Sequence, residues 1–141
     1  MLSDCLQELK HPYTMDFLRV SSYEGTETTG KVKISGGLSI SRLQGRHVIV
    51  VEDIVDTGTT LSHLIPILKE EGKPKSLETC SLLTKRLGHP AKASAKYVGF
   101  SIPDRFIVGF GLDYNEMYRD LSDIYVISQQ GIDFDPKSIQ H

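Results

Sequence analysis

A chain of 141 residues is long enough to bury one hydrophobic core, and on length alone residues 1–141 read as a single domain. With 16 Lys+Arg set against 18 Asp+Glu the formal net charge is −2, which argues against a protein whose main partner is a nucleic-acid backbone. No run approaches the roughly 18 apolar residues of a membrane span, and no charged-then-apolar leader precedes a cleavage-like site, so the expectation is a soluble, cytoplasmic protein that does not engage a membrane.

Leu2, Cys5, Leu6 and Leu9 recur at the spacing of one helix face, predicting an amphipathic helix that His11-Pro12 ends. Residues 13–20 read as a strand. The Gly- and Thr-rich segment 21–30, which no periodicity organises, reads either as a mobile flap or as a plain surface hairpin. Lys31 to Ser35 alternates polar and apolar side chains as a half-buried strand does, closed by Gly36-Gly37. Val48-Ile49-Val50-Val51 is an unbroken β-branched run, the composition of a buried strand in a parallel sheet. Leu61, Leu64, Ile65 and Leu68 repeat the helical spacing up to a stop at Glu71-Gly72, with Pro66 predicted to kink or loosen the helix. Strands are read at 77–84, 97–102, 106–110 and 124–128, with a Gly/Pro/Lys/Ala connection running to Ala95 and a polar tail from Ile132 expected to fray. This alternation predicts an α/β fold with a mainly parallel sheet. Cys5 and Cys80 lie far apart and read as reduced core thiols, and the five histidines form no HExxH pattern that would suggest zinc.

The stretch richest in chemistry is Glu52-Asp53-Ile54-Val55-Asp56-Thr57-Gly58-Thr59-Thr60, directly after the β-branched run and directly before the helical pattern. It describes a strand, a polar turn at its carboxyl end and a helix amino terminus, where unpaired N–H groups and the positive end of the helix dipole favour an anion. Three carboxylates would repel a bare phosphate, so they need other tasks: gripping sugar hydroxyls, holding Mg²⁺ or taking a proton. The stretch is neither a Walker loop nor a dinucleotide fingerprint, because no Gly-Lys-Ser/Thr follows a Gly-rich turn and Gly58 stands alone.

These residues resemble the phosphoribosyl-diphosphate-binding motif of type I phosphoribosyltransferases. The resemblance extends to the hypoxanthine-guanine members through Asp16 to Tyr23, Leu82 to Arg86, Val98 to Asp104 and Val108 to Glu116, in order and spacing. It implies an α/β fold of that type, a mainly parallel sheet flanked by helices. It also implies transfer of the 5-phosphoribosyl group from phosphoribosyl diphosphate to N9 of hypoxanthine or guanine with Mg²⁺, giving IMP or GMP and pyrophosphate. By resemblance Glu52 and Asp53 hold the ribose hydroxyls, with Mg²⁺ a further task open to their carboxylates. Thr57, Gly58, Thr59 and Thr60 hold the 5′-phosphate, and Asp56 is the catalytic base facing the purine N7. Lys85 donates to the purine O6, Phe106 stacks on the base, and Ile107 offers main-chain groups to its edge. Asp113 matches a Mg²⁺ position, Arg119 a pyrophosphate-binding one, and Ser22-Tyr23 a pair on a mobile loop that closes over the site.

The family begins with a first strand and a Leu-Lys-Gly-Gly-type loop that grips pyrophosphate, and neither is present in this sequence. The expectation is therefore an N-terminally truncated domain whose sheet lacks a strand beside the central one, leaving an apolar face and an unpaired edge. Family members imply a homo-oligomer, dimer or tetramer. Two functions follow: the purine phosphoribosyltransferase itself, or a catalytically impaired or regulatory nucleotide-binding homologue that keeps the phosphate turn.

Overall fold

Four β-branched residues in a row lose little by extending, since their side chains are already stiff, and in the computed structural model they form most of the first half of a nine-residue strand. The structure describes residues 7–22, 32–36 and 39–134. The chain divides into two compact units, Met1–Ser101 and Ile102–His141.

In the first unit the strands are β1 (Leu18–Ser22), β2 (Val32–Gly36), β3 (His47–Val55), β4 (Ser76–Arg86) and β5 (Tyr97–Pro103), whose last two residues fall in the second unit. A 3-10 turn, Ile40–Leu43, precedes β3, and helix α1 (Thr59–Gly72) joins β3 to β4. β1 and β2 pair antiparallel from Leu18 opposite Gly36 to Ser22 opposite Val32. β3 and β4 pair parallel from His47 beside Ser76 to Val55 beside Thr84, within a sheet ordered β3-β4-β5. Parallel neighbours need a crossover, and α1 is that crossover.

Of the stripe foreseen from spacing, helix α1 buries Leu61, Leu64 and Leu68 and half-buries Ile65; Gly72 is buried as well. Val55, Leu61 and Ala95 form a buried cluster, against which Val50, Ile65 and Ala93 pack. The β3–β4 register sets Val50 beside Thr79, Glu52 beside Ser81 and Ile54 beside Leu83, so these residues share one face of the sheet.

Several expectations are corrected. The β-branched run is covered on one face only: Ile49 is 59% and Val51 41% exposed. Residues 13–17 form no strand, and Tyr13, Met15 and Phe17 are exposed; β1 starts at Leu18. Pro66 lies on the exposed side of α1, and the helix runs past it to Gly72. The helix does stop where Glu71-Gly72 was expected to stop it: Gly72 is its last residue, and a Cβ there would lie 3.1 Å from Leu43 Cδ1 and 3.2 Å from Ile40 Cγ2. The left-handed cap is Lys73, at φ 44°, whose N–H donates to the Lys69 carbonyl. Cys80 is a half-buried free thiol, and Cys5 lies outside the described residues. So does most of the predicted helix at 2–9, of which Gln7 alone is described as helical.

The second unit contains β6 (Ile107–Val108) paired antiparallel with β7 (Tyr125–Val126), and helix α2 (Gln129–Asp133). The strands predicted at 106–110 and 124–128 are thus shorter. β6 ends because Gly109 takes φ 91° and Phe110 φ 57°, values no strand contains. Asn115, Glu116 and Tyr118 also have positive φ, in a run of tight turns pinned by paired backbone bonds between Gly109 and Leu112 and between Tyr114 and Met117. Of the tail expected to fray, Ile132 and Asp133 are helical, with Ser128 Oγ accepting the Gly131 N–H at the helix start, and residues 135–141 lie outside the described residues.

Candidate active site

Helix α1 begins without a side-chain cap. Gly58, at φ 74° and ψ 10°, is its N-cap and carries no hydroxyl or carboxylate to accept the first N–H groups. The hydroxyls nearby face elsewhere: Thr57 Oγ1 and Thr59 Oγ1 share a 2.9 Å bond, and Ser62 Oγ donates to the Thr59 carbonyl at 2.8 Å. An uncapped helix start offers its N–H groups to an incoming anion.

The carboxylates ahead of this turn are sorted by strand alternation. Asp53 lies on the exposed face of β3, where its Oδ1 accepts the Ile54 N–H at 2.7 Å, while Glu52 is half-buried on the other face. Burial first, and then the neighbouring charge of Asp53, push the Glu52 carboxyl above the ordinary glutamate range. The folded protein therefore holds this proton more tightly than the unfolded chain. Ionisation carries no stability penalty below the ordinary glutamate range and the full penalty above the raised value. Glu52→Gln should accordingly raise the melting temperature at pH 7, with the advantage disappearing near pH 3.5. A melt showing no gain at pH 7 would contradict the assignment.

Asp56 and Lys85 lie 29 residues apart in sequence and meet because of the sheet register. Val55 is beside Thr84, so the next residue on each strand is carried to the same carboxyl-end crevice. Lys85 Nζ donates to Asp56 Oδ2 at 2.7 Å, with side-chain exposures of 10% for Lys85 and 48% for Asp56. The lysine head is thus held in a largely dry setting while the carboxylate keeps an open side.

The connection between β4 and β5, which sequence reasoning left without a role, touches the turn. The Lys92 N–H donates to the Thr57 carbonyl at 2.8 Å, and the Ala93 backbone fills the space a Cβ on Gly58 would need. Backbone contacts of this kind leave no signature in side-chain type.

In the second unit Phe106 is 50% exposed and meets Tyr114 edge-on at 5.3 Å, and Ile107 is buried. Asp113 and Arg119 form an ion pair at 2.9 Å; Asp113 Oδ2 also accepts the Glu116 N–H, and Arg119 donates to the Gly111 carbonyl. Both Asp113 oxygens are therefore engaged within this unit, and on β3 the exposed Asp53 has one carboxylate oxygen on the Ile54 N–H; carboxylate oxygens of this kind suit a hydrated Mg²⁺. No cluster of three or more His, Cys, Asp or Glu side chains suited to a metal occurs among the described residues. Tyr23 lies outside the described residues, and Ser22 is placed only by its backbone at the end of β1. No helix among the described residues is long and apolar enough to cross a membrane.

The model of the phosphoribosyl transferase domain family matches residues 1–115. Hypoxanthine-guanine phosphoribosyltransferase of Bos taurus is 46% identical over 120 residues, which cover 85% of this chain and 55% of that protein; the Homo sapiens protein is 44% identical over the same length. The chain spans about half the length of the curated relatives it matches. Among solved structures, a hypoxanthine phosphoribosyltransferase from Staphylococcus aureus superposes with a TM-score of 0.79 at 40% identity, covering 95% of this chain and 72% of its own. A hypoxanthine-guanine phosphoribosyltransferase from Bacillus anthracis gives 0.76 at 44% identity, covering 90% and 74%. With its parallel β3–β4 pair and the uncapped turn that leads into α1, the chain belongs to the type I phosphoribosyltransferase family, within the hypoxanthine-guanine group.

Proposed function

We propose that the chain transfers the 5-phosphoribosyl group from phosphoribosyl diphosphate to N9 of hypoxanthine or guanine, releasing pyrophosphate and giving IMP or GMP. The observation that carries this reading is the Asp56–Lys85 pair at 2.7 Å beside an uncapped helix start. The carboxyl ends of β3 and β4 and the start of α1 together offer a proton acceptor, a donor and an anion cradle. A relative from Trypanosoma cruzi, 40% identical with a TM-score of 0.78, has been solved with IMP as its product.

In this reading the N–H groups of Thr57 to Thr60 hold the 5′-phosphate, while Asp53 and Glu52 accept from the ribose hydroxyls. Lys85 donates to the purine O6, a contact that favours a 6-oxo over a 6-amino purine. Asp56 receives the N7 proton of the purine as N9 bonds to C1′ and the C1′–diphosphate bond breaks, so positive charge does not build on the purine while the bonding electrons leave with pyrophosphate. Phe106 supplies a ring face for stacking, Ile107 main-chain groups and Arg119 a guanidinium for pyrophosphate. Asp53, Glu52 and Asp113 are the carboxylates that would hold Mg²⁺, which when bound would offset charge on the departing diphosphate. In this reading residues 1–141 belong to one phosphoribosyltransferase domain, since the family match runs across residue 101, and the chain works as a homo-oligomer.

The test is direct. Purified chain mixed with hypoxanthine, phosphoribosyl diphosphate and Mg²⁺ should produce IMP in proportion to protein. Absence of product at high protein concentration, alongside measurable IMP binding, would replace the enzyme with a nucleotide-binding homologue that lacks turnover.

A further inference from the structure

We propose that the connection between β4 and β5 latches the phosphate-binding turn, holding the Thr57–Gly58 peptide in the orientation that presents its N–H to an anion. This rests on the functional reading above and adds to it the element that keeps the cradle in shape.

A trans peptide is planar, so its carbonyl and its N–H point in opposite directions. The chain contains no cis peptide among the described residues, and the Thr57 carbonyl accepts the Lys92 N–H at 2.8 Å. The Gly58 N–H therefore points away from Lys92. Were this peptide to flip, a carbonyl oxygen would take the place of the N–H and repel a phosphate. Glycine makes such a flip easy, since positive and negative φ are open to it, and Gly58 stands at φ 74°. The turn's own sequence thus leaves the peptide undetermined, and the bond from Lys92 determines it.

The latch is itself anchored at several points. Ala95 is buried with Val55 and Leu61, and Ala93 packs against that cluster. The Lys96 N–H donates to Thr79 Oγ1 at 3.0 Å and to the Thr79 carbonyl at 3.1 Å. The Ala93 backbone occupies the space beside Gly58, so the two segments fit only while residue 58 lacks a side chain. Lys92 and Ala93 are positioning residues: they act through Thr57 and Gly58.

Replacing the Ala91–Lys92 peptide bond by an ester removes the N–H while keeping the lysine side chain and the shape of the loop. Dissociation constants are then compared for IMP and for inosine, which lacks the phosphate. Loss of one hydrogen bond should weaken IMP roughly three- to tenfold and leave inosine unchanged. Unchanged IMP affinity, or an equal loss for both ligands, overturns the proposal. In the unmodified protein the Lys92 amide should exchange with solvent slowly although Lys92 is an exposed loop residue; exchange at the rate of an open loop also overturns it. A chain that binds neither ligand yet protects the Lys92 amide refutes the functional reading while upholding the latch.

Discussion

Asp56→Asn is expected to reduce the turnover of hypoxanthine by about 10² to 10⁴-fold while leaving the affinity for IMP within a few-fold of the parent. The amide matches the carboxylate in size and still accepts from Lys85 Nζ, 2.7 Å away, so the crevice keeps its geometry. It cannot take up the purine proton. Steady-state rates and an independent binding titration separate the two effects. An equal collapse of binding and turnover would show that Asp56 holds the site together, and its role as base would then be abandoned.

Gly58→Ala is expected to be the most damaging small substitution in the turn. Residue 58 sits at φ 74°, where an L side chain costs on the order of 1–2 kcal/mol, and the added methyl would be driven into the Ala93 backbone. A backbone neighbour cannot rotate away as a flexible side chain can, so the turn or the β4–β5 connection must move. The affinity for IMP should fall at least about tenfold, the equivalent of 1.4 kcal/mol, and the melting temperature should fall as well. Wild-type affinity in this variant would mean that the turn tolerates displacement, which contradicts a cradle of fixed N–H groups.

The sequence makes the β3–α1–β4 unit legible because several local signals agree there: a β-branched run, a polar turn and a leucine stripe all specify one crossover. Asp56 and Lys85 were each expected at a strand end, but their direct pairing depends on register, a property of two strands that neither carries alone. The stop at Gly72 was legible, but not its mechanism: Gly72 packs closely on the side chains of Ile40 and Leu43, and the left-handed turn falls to Lys73. The segment after Val108 was hidden because positive φ at Phe110, Glu116 and Tyr118 runs against residue type and is imposed by hydrogen bonds across the turns. The exposed face of β3 was partly foreseen from the resemblance, although the β-branched composition by itself spoke for burial on both sides.

Helix α1 has two duties that share one rigid body. Its first residues would form the proposed anion cradle, while Leu61, Leu64 and Leu68 fill the core of the first unit. A ligand that grips the cradle therefore grips the piece whose detachment would open the core, and occupancy becomes linked to the unfolding equilibrium. By mass action a nucleotide at 100 times its dissociation constant adds about 2.7 kcal/mol to the native state. Cellular persistence of this protein would then follow the supply of its own substrates, with the empty form the first to be lost to proteolysis.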